Sequence, residues 1–352
     1  MRSVLALVAI ALAVASPIAA AAHPHPAEHK HEHPHQRTPA KVDHHHGQHK
    51  RITKVVKKSG HLKDEDIKIV NFLLTLEFME ANFFSQGVKN FTKEDFKHVP
   101  TLFERFQDIA TQESDHVATL KQVLGHNAVS PCEYDFGESL HSVESFLATS
   151  RALETVGTSA YLGATPHLST SELIGTSGSI LTIEARHSSL LNEYEAETGF
   201  PTAFETALNF NQSWTLAYKM IKPNTCGPKK PLPDGLAPFP ELTIVTPKAV
   251  KGKKHAKESG LLLQLPDLAV PNVAKAPKGK IAPGTSLHGK LYAAFLNNGE
   301  TFYAPIEFVH GATLANVQPP KGLKGATYII VTKSADSLSN ENTVAGPTIK
   351  FF

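Results

Sequence analysis

Ile69-Val70-Asn71-Phe72-Leu73-Leu74-Thr75-Leu76-Glu77-Phe78-Met79-Glu80-Ala81-Asn82-Phe83-Phe84 is apolar on nearly every side when wound as a helix, yet it carries an acid, Glu77, at its middle. A helix that is apolar all round is enclosed by neighbours. The run therefore predicts one member of a helical bundle, over residues 66–86. A carboxylate at the centre of such a helix is costly to bury without a partner, so the acids and imidazoles of the neighbouring segments are the next residues to read.

Between residues 52 and 222 lie 13 of the 19 Phe and only 4 of the 24 Pro. Those four, Pro100, Pro131, Pro166 and Pro201, divide the region into helix-length pieces, and proline is tolerated at helix starts but not in helix interiors. The remaining helices are expected over residues 100–124, 138–163, 171–195 and 201–220. Together they make an all-helical bundle, an antiparallel four-helix arrangement with a fifth helix, over residues 60–222.

Residues three apart share a helix face, so a Glu-x-x-His pair can offer a carboxylate and an imidazole to one metal ion. The pattern occurs six times. Glu28/His31 and Glu32/His35 follow from a His-rich composition. Glu307/His310 falls on an expected strand, where residues three apart point to opposite faces. Of the helical pairs, Glu138/His141 opens its helix, whereas Glu113/His116 and Glu184/His187 sit near the middle of theirs. Groups in an antiparallel bundle meet only at equal heights, so the two central pairs can converge.

Such a site also wants one carboxylate from each intervening helix, and Glu77 and Glu154 supply them. Glu77, Glu113, His116, Glu154, Glu184 and His187 would hold two divalent ions through shared carboxylates, about 3.5 to 4 Å apart. The two halves share an offset, since Phe84 lies seven residues after Glu77 and Tyr161 seven after Glu154; an aromatic two turns along is also ordinary core packing. Glu144 competes with Glu154 at a height that fits less well. Glu80 is expected behind the ligands or at the surface, and Tyr161 is a further candidate to support a ligand.

The segment 71–84 quoted above resembles the secreted fungal ferritin-like proteins related to plant desiccation-related proteins, within the ferritin-like superfamily. The closing segments Gly325-Ala326-Thr327-Tyr328-Ile329-Ile330-Val331-Thr332 and Thr343-Val344-Ala345-Gly346-Pro347 are similar to the C-terminal part of the fungal members. The resemblance spans about residues 60–352. It implies a Glu, Glu-x-x-His, Glu, Glu-x-x-His dimetal centre loaded with Fe or Mn and reacting with dioxygen or hydrogen peroxide, in the manner of a ferroxidase or a manganese catalase. Fold does not fix function. A storage shell is not implied, because a second domain and a disulfide would have to fit into it.

From residue 223 onward there are 15 Pro and 12 of the 22 Gly. A Pro-rich linker is expected over 223–240 and a small β-rich domain, sandwich or barrel, over 241–352. Asn297-Asn298-Gly299-Glu300 between expected strands 290–296 and 301–309 is a hairpin signal, because Asn and Gly accept positive φ. Further strands are expected over 242–245, 261–265 and 327–332, making the whole an α+β multidomain chain. The lysine run 248–257 reads as a solvated loop. No catalytic triad or phosphate loop is seen in this half, so binding or packing, including contact with a cell-wall or extracellular partner, is its expected role.

Arg2, the apolar run 4–14 and Ala19 to Ala22 read as a secretory signal peptide over 1–22, too short to span a bilayer. In an oxidising compartment Cys132 and Cys226 most simply form one disulfide. Asn90-Phe91-Thr92 and Asn211-Gln212-Ser213 are possible glycosylation acceptors at Asn90 and Asn211. Residues 23–51 contain 10 of the 20 His and little to bury; the segment is expected to be disordered, able to bind Zn, Cu or Ni weakly, and removable at Lys50-Arg51. With 35 Lys+Arg against 33 Asp+Glu, a nucleic-acid partner is not expected, and no later run is long and apolar enough for a membrane span. The leading expectation is a secreted dimetal protein. Its rival is a non-catalytic secreted or cell-wall stress or metal-scavenging protein that keeps the bundle as scaffold.

Overall fold

A computed structural model describes residues 62–195, 198–227, 231–245, 260–266, 290–310 and 313–352. The expected signal segment 1–22, the His-rich stretch 23–51 and the lysine run 248–257 lie outside the described residues.

Four long helices, α1 (Asp64–Asn90), α2 (Pro100–Leu124), α3 (Val143–Ala164) and α4 (Ser171–Glu195), are followed by a short α5 (Phe210–Tyr218). α1 packs on α2, α3 packs on α4, and α1 also touches α3. Phe72, Leu74, Phe83 and Phe84 of α1 are wholly buried, which agrees with a helix apolar all round. Asp64, Glu65 and Asp66 in its first turn complement the helix dipole. Asp66 also accepts hydrogen bonds from the Ser169 backbone N–H at 2.8 Å and its hydroxyl at 2.6 Å, which ties the start of α1 to the α3–α4 connection. That tie helps set the relative heights of α1 and α4.

Two helix starts differ from expectation. α3 begins after Ser142, where Ser142 and Ser145 cap one another reciprocally; the residues expected to open it form a separate 3₁₀ turn, Gly137–Leu140. Glu138 and His141 therefore form an exposed surface pair at 2.5 Å, away from the bundle interior. α5 begins after Asn209, with Gln212 as its reciprocal cap. Residues 201–208 are not helical because their polar groups go elsewhere. The Phe204 N–H donates to Asn298 Oδ1, Thr206 Oγ1 accepts from the Gly299 N–H, and the Leu208 N–H donates to the Ser159 carbonyl.

Strands β1 (Thr243–Val245), β2 (Leu261–Gln264), β3 (Tyr292–Asn297), β4 (Glu300–His310), β5 (Leu314–Val317), β6 (Ala326–Thr332) and β7 (Thr343–Phe351) form an antiparallel sheet in the order β1-β2-β5-β4-β3-β6-β7. Its outermost strands β1 and β7 touch, so the sheet is a nearly closed barrel. β5 and β7 add to the strands expected from sequence. The β3–β4 hairpin pairs Asn297 with Glu300 across Asn298 (φ 55) and Gly299 (φ 74), the positive-φ pair that a two-residue hairpin requires.

β3 and β6 are buried along nearly their whole length because each has two covered faces. Ala293, Phe295, Ile329 and Val331 fill the barrel, while Ala294, Leu296, Tyr328 and Ile330 pack with Val156 and Leu208 of the helical region. Tyr328 exchanges a hydrogen bond with the Ser159 hydroxyl at 2.7 Å and donates to the Thr155 carbonyl at 3.0 Å. The Arg151 guanidinium lies 3.5 Å above the Phe351 ring. The barrel is thus bound to α3.

The Pro-rich stretch after α5 is held too. Leu232 and Leu236 pack on the helical core, and Asn71 donates to the Pro231 carbonyl at 3.1 Å. A disulfide joins Cys132 to Cys226. Asn90 is exposed, whereas Asn211 is half-buried within α5 and Ser213 of its acceptor pattern is fully buried, so of the two only Asn90 is presented at the surface. No described helix is long and apolar enough to cross a membrane.

Candidate metal centre

α1 contributes Glu77, α2 Glu113 and His116, α3 Glu154, and α4 Glu184 and His187. The four carboxyl groups are wholly buried, and the two imidazoles are 8% and 6% exposed. One cluster comprises Glu77, Glu113, His116 and Glu184; a second comprises Glu113, Glu154, Glu184 and His187; within each, the ligand atoms lie within 4.8 Å of one another. Glu113 and Glu184 belong to both. The structure therefore brings all six sequence-predicted residues to one place and sets two of them between the others.

Hydrogen bonding alone does not account for this arrangement. His116 Nδ1 lies 3.3 Å from oxygens of Glu77, Glu113 and Glu184 alike, yet one ring nitrogen carries a single hydrogen or a single lone pair. Glu77 Oε2, Glu113 Oε1, Glu154 Oε1 and both oxygens of Glu184 are buried without a hydrogen-bond partner. Buried carboxylates left in this state are strongly unfavourable unless protonated or neutralised by cations. A donor set of carboxylates and imidazoles suits divalent iron or manganese, so the residues present fit such ions.

Without cations the cluster must hold protons. Burial pushes the Glu77 carboxyl up to about 8 against the pull of His116, and pushes Glu184 well above the usual carboxylate range, with Glu113 and Glu154 adding repulsion. Burial raises Glu154 as well. For Glu113 the effect of burial is outweighed by the hydrogen bond from His116 and the nearby His187 imidazole, which hold it down at about 2. Burial disfavours the His187 cation, but Glu154 and Glu113 overcome this and raise it to about 11; His116 is raised in the same way by Glu77, Glu113 and Glu184.

The surroundings of the two halves differ. The Tyr161 hydroxyl donates to Glu77 Oε1. Phe84, at the matching position of the other half, has no hydroxyl and instead stacks among Phe83, Phe106 and Phe146, a dry aromatic cluster beyond the ligands along α1. Glu144 takes no part: it is exposed in the first turn of α3, because the helix starts so late that this residue sits at the wrong height. Glu80 is not at the surface: it is 2% exposed, its Oε2 has no hydrogen-bond partner, and it stands in neither four-residue cluster.

Gln112 was not foreseen. Its Oε1 lies 2.8 Å from His187 Nε2, and an amide oxygen there accepts the Nε2 hydrogen, which leaves Nδ1, 3.2 and 3.1 Å from Glu113 and Glu154, as the nitrogen that holds a proton toward them without metal and would offer its lone pair to an ion. An outer partner of this kind fixes both tautomer and ring orientation of a metal-binding histidine. Gln112 reaches a histidine on another helix, and nothing in its sequence neighbourhood marks it for that role.

Residues 65–197 match the family model described as a ferritin-like domain. The matched residues are thus similar to a ferritin-like domain. The match takes in all four helices that carry the cluster, while α5 and the barrel lie outside it. The chain is also similar to protein rds1 of the fission yeast Schizosaccharomyces pombe (strain 972), with 23% identity over 330 residues covering 81% of this chain and 80% of the relative. That likeness extends beyond residues 65–197 into the rest of the chain.

Proposed function

We propose that this protein is secreted and holds two iron or manganese ions in its ferritin-like domain for reaction with dioxygen or hydrogen peroxide, serving metal oxidation or defence against oxidative stress. The observation that carries this reading is the double membership of Glu113 and Glu184, which stand in both four-residue clusters. Glu77 and His116 complete one position, Glu154 and His187 the other. Bound there, such ions supply one-electron chemistry toward dioxygen or peroxide.

The chain's own groups do the rest. Tyr161 orients Glu77 by donating a hydrogen bond, Gln112 holds His187 with its lone pair inward, and the Phe83, Phe84, Phe106 and Phe146 rings exclude water from one end of the centre. Secretion is supported by the apolar N-terminal run of the sequence and by the Cys132–Cys226 disulfide, a bond that persists in oxidising compartments. The test is elemental analysis of the secreted protein. Near-stoichiometric Fe or Mn that disappears in Glu113→Ala and Glu184→Ala is the expected result; a well-folded protein without either metal refutes the reading.

A further inference from the structure

The geometry points to Glu80 as a seventh metal-facing residue of the centre, admitted by the missing side chain of Gly157. The inference rests on the two-ion reading above. Glu80 lies one turn after Glu77 on the same face of α1, is 2% exposed, and leaves Oε2 buried with no hydrogen-bond partner. On the facing helix α3, Gly157 stands one turn after Glu154. A β-carbon at Gly157 would lie 2.6 Å from Glu184 Oε2 and 2.8 Å from Glu80 Oε1. The carboxyl groups of Glu80 and Glu184 therefore meet over the bare α-carbon of Gly157, and any larger residue there would displace them.

Glu80 and Gly157 occupy matching positions in the two halves of the ferritin-like domain, three residues after Glu77 and Glu154 respectively. One half supplies a carboxylate and the other supplies the space for it. A buried carboxylate with an orphaned oxygen, directed at Glu184 and lacking any ion-pair partner among the described residues, is placed to serve as a further ligand.

The test titrates Mn(II) into the full secreted chain, with the Glu113→Ala/Glu184→Ala double variant setting the background from the His-rich segment. Mn(II) is chosen because it favours carboxylate over imidazole ligands. Wild type is expected to take up two equivalents above background. Glu80→Gln, which keeps the shape and removes the charge, is expected to weaken at least one of them roughly tenfold or more, a loss of the size seen when groups supporting a metal site are removed. Gly157→Ala is expected to give the same loss by pushing Glu80 and Glu184 aside. A crystal structure of the Mn-loaded wild type, which does not depend on any variant folding, is expected to show a Glu80 oxygen on an ion. Two equivalents bound with unchanged affinity by Glu80→Gln, or a loaded structure with Glu80 off both ions, overturns this inference and leaves the two-ion reading standing. A wild type that binds no Mn(II) or Fe above background overturns both.

Discussion

Gln112 on α2 and His187 on α4 are joined by a 2.8 Å hydrogen bond from the imidazole Nε2 to the amide oxygen, on the side of the ring away from Glu154. Gln112 is otherwise exposed, so its role is to hold the ring rather than to fill the core. Gln112→Ala is expected to weaken metal binding by roughly 10- to 100-fold while leaving the thermal midpoint of the metal-free protein unchanged. Isothermal titration with Mn(II), beside a melting curve, checks both halves of this statement. Unchanged affinity would remove Gln112 from the site.

The barrel is anchored to the helical region through Tyr328, whose hydroxyl meets Ser159 and the Thr155 carbonyl. Tyr328→Phe keeps the ring and strands those buried partners, which costs about 1–3 kcal/mol. Denaturant unfolding followed by fluorescence measures it. Because Thr155 adjoins Glu154, a lower metal affinity is expected to accompany the lower stability; stability within a few tenths of a kcal/mol of wild type would show that the hydrogen bonds contribute little.

Metal-free protein is expected to lose stability as pH rises from 5 to 9. Glu77, raised to about 8, and Glu184, held by burial well above the usual carboxylate range, keep protons in the folded state that the unfolded chain releases near 4.5. His187, raised to about 11, does the same above 6.5. Each proton so held tips the balance by about 1.4 kcal/mol per pH unit against the folded state as pH rises. Glu113, held at about 2, contributes nothing across this window because it is ionised in both states. Bound cations take the place of these protons, so metal-loaded protein is expected to show a flatter profile, with protons released on loading. Melting curves of chelated and Mn-loaded samples at pH 5, 7 and 9 decide it, and parallel profiles would count against a site that exchanges protons for metal.

The Cys132–Cys226 bond closes a separation of 94 residues that contains α3, α4 and α5. Loop-closure entropy for a span of that size is about 4–5 kcal/mol. Cys132→Ser together with Cys226→Ser is expected to lower the thermal midpoint by several degrees, read by calorimetry, with metal content retained because neither cysteine lies in the cluster. Equal midpoints for the two forms would mean that the unfolded chain is constrained some other way.

Much of the helical region was legible because its boundaries carry chemical markers. Pro100 stands at the start of α2, and the piece after Pro166 contains α4 with the expected limits, 171–195. Pro201 misled in the same way that Pro100 helped: the true start of α5 is set by the Asn209 and Gln212 cap, while the residues between dock on the β3–β4 turn. The six cluster residues could be chosen by the Glu-x-x-His spacing together with helix height. Height also separates Glu154 from Glu144. What sequence could not give was contact between helices, since the burial of Glu80 depends on Gly157 across the bundle and the part played by Gln112 depends on the rotamer of a distant histidine. β7 was hidden by Gly346 and Pro347, which normally interrupt strands; as an outermost strand of the order it tolerates the missing N–H.

Diffraction from crystals of the secreted protein, with anomalous data collected at the iron and manganese edges, tests the central claim most directly. Two anomalous peaks, both flanked by Glu113 and Glu184, one completed by Glu77 and His116 and the other by Glu154 and His187, are the predicted result. An ordered cluster with no peak at either edge, its carboxyl groups paired with one another through protons, would contradict it.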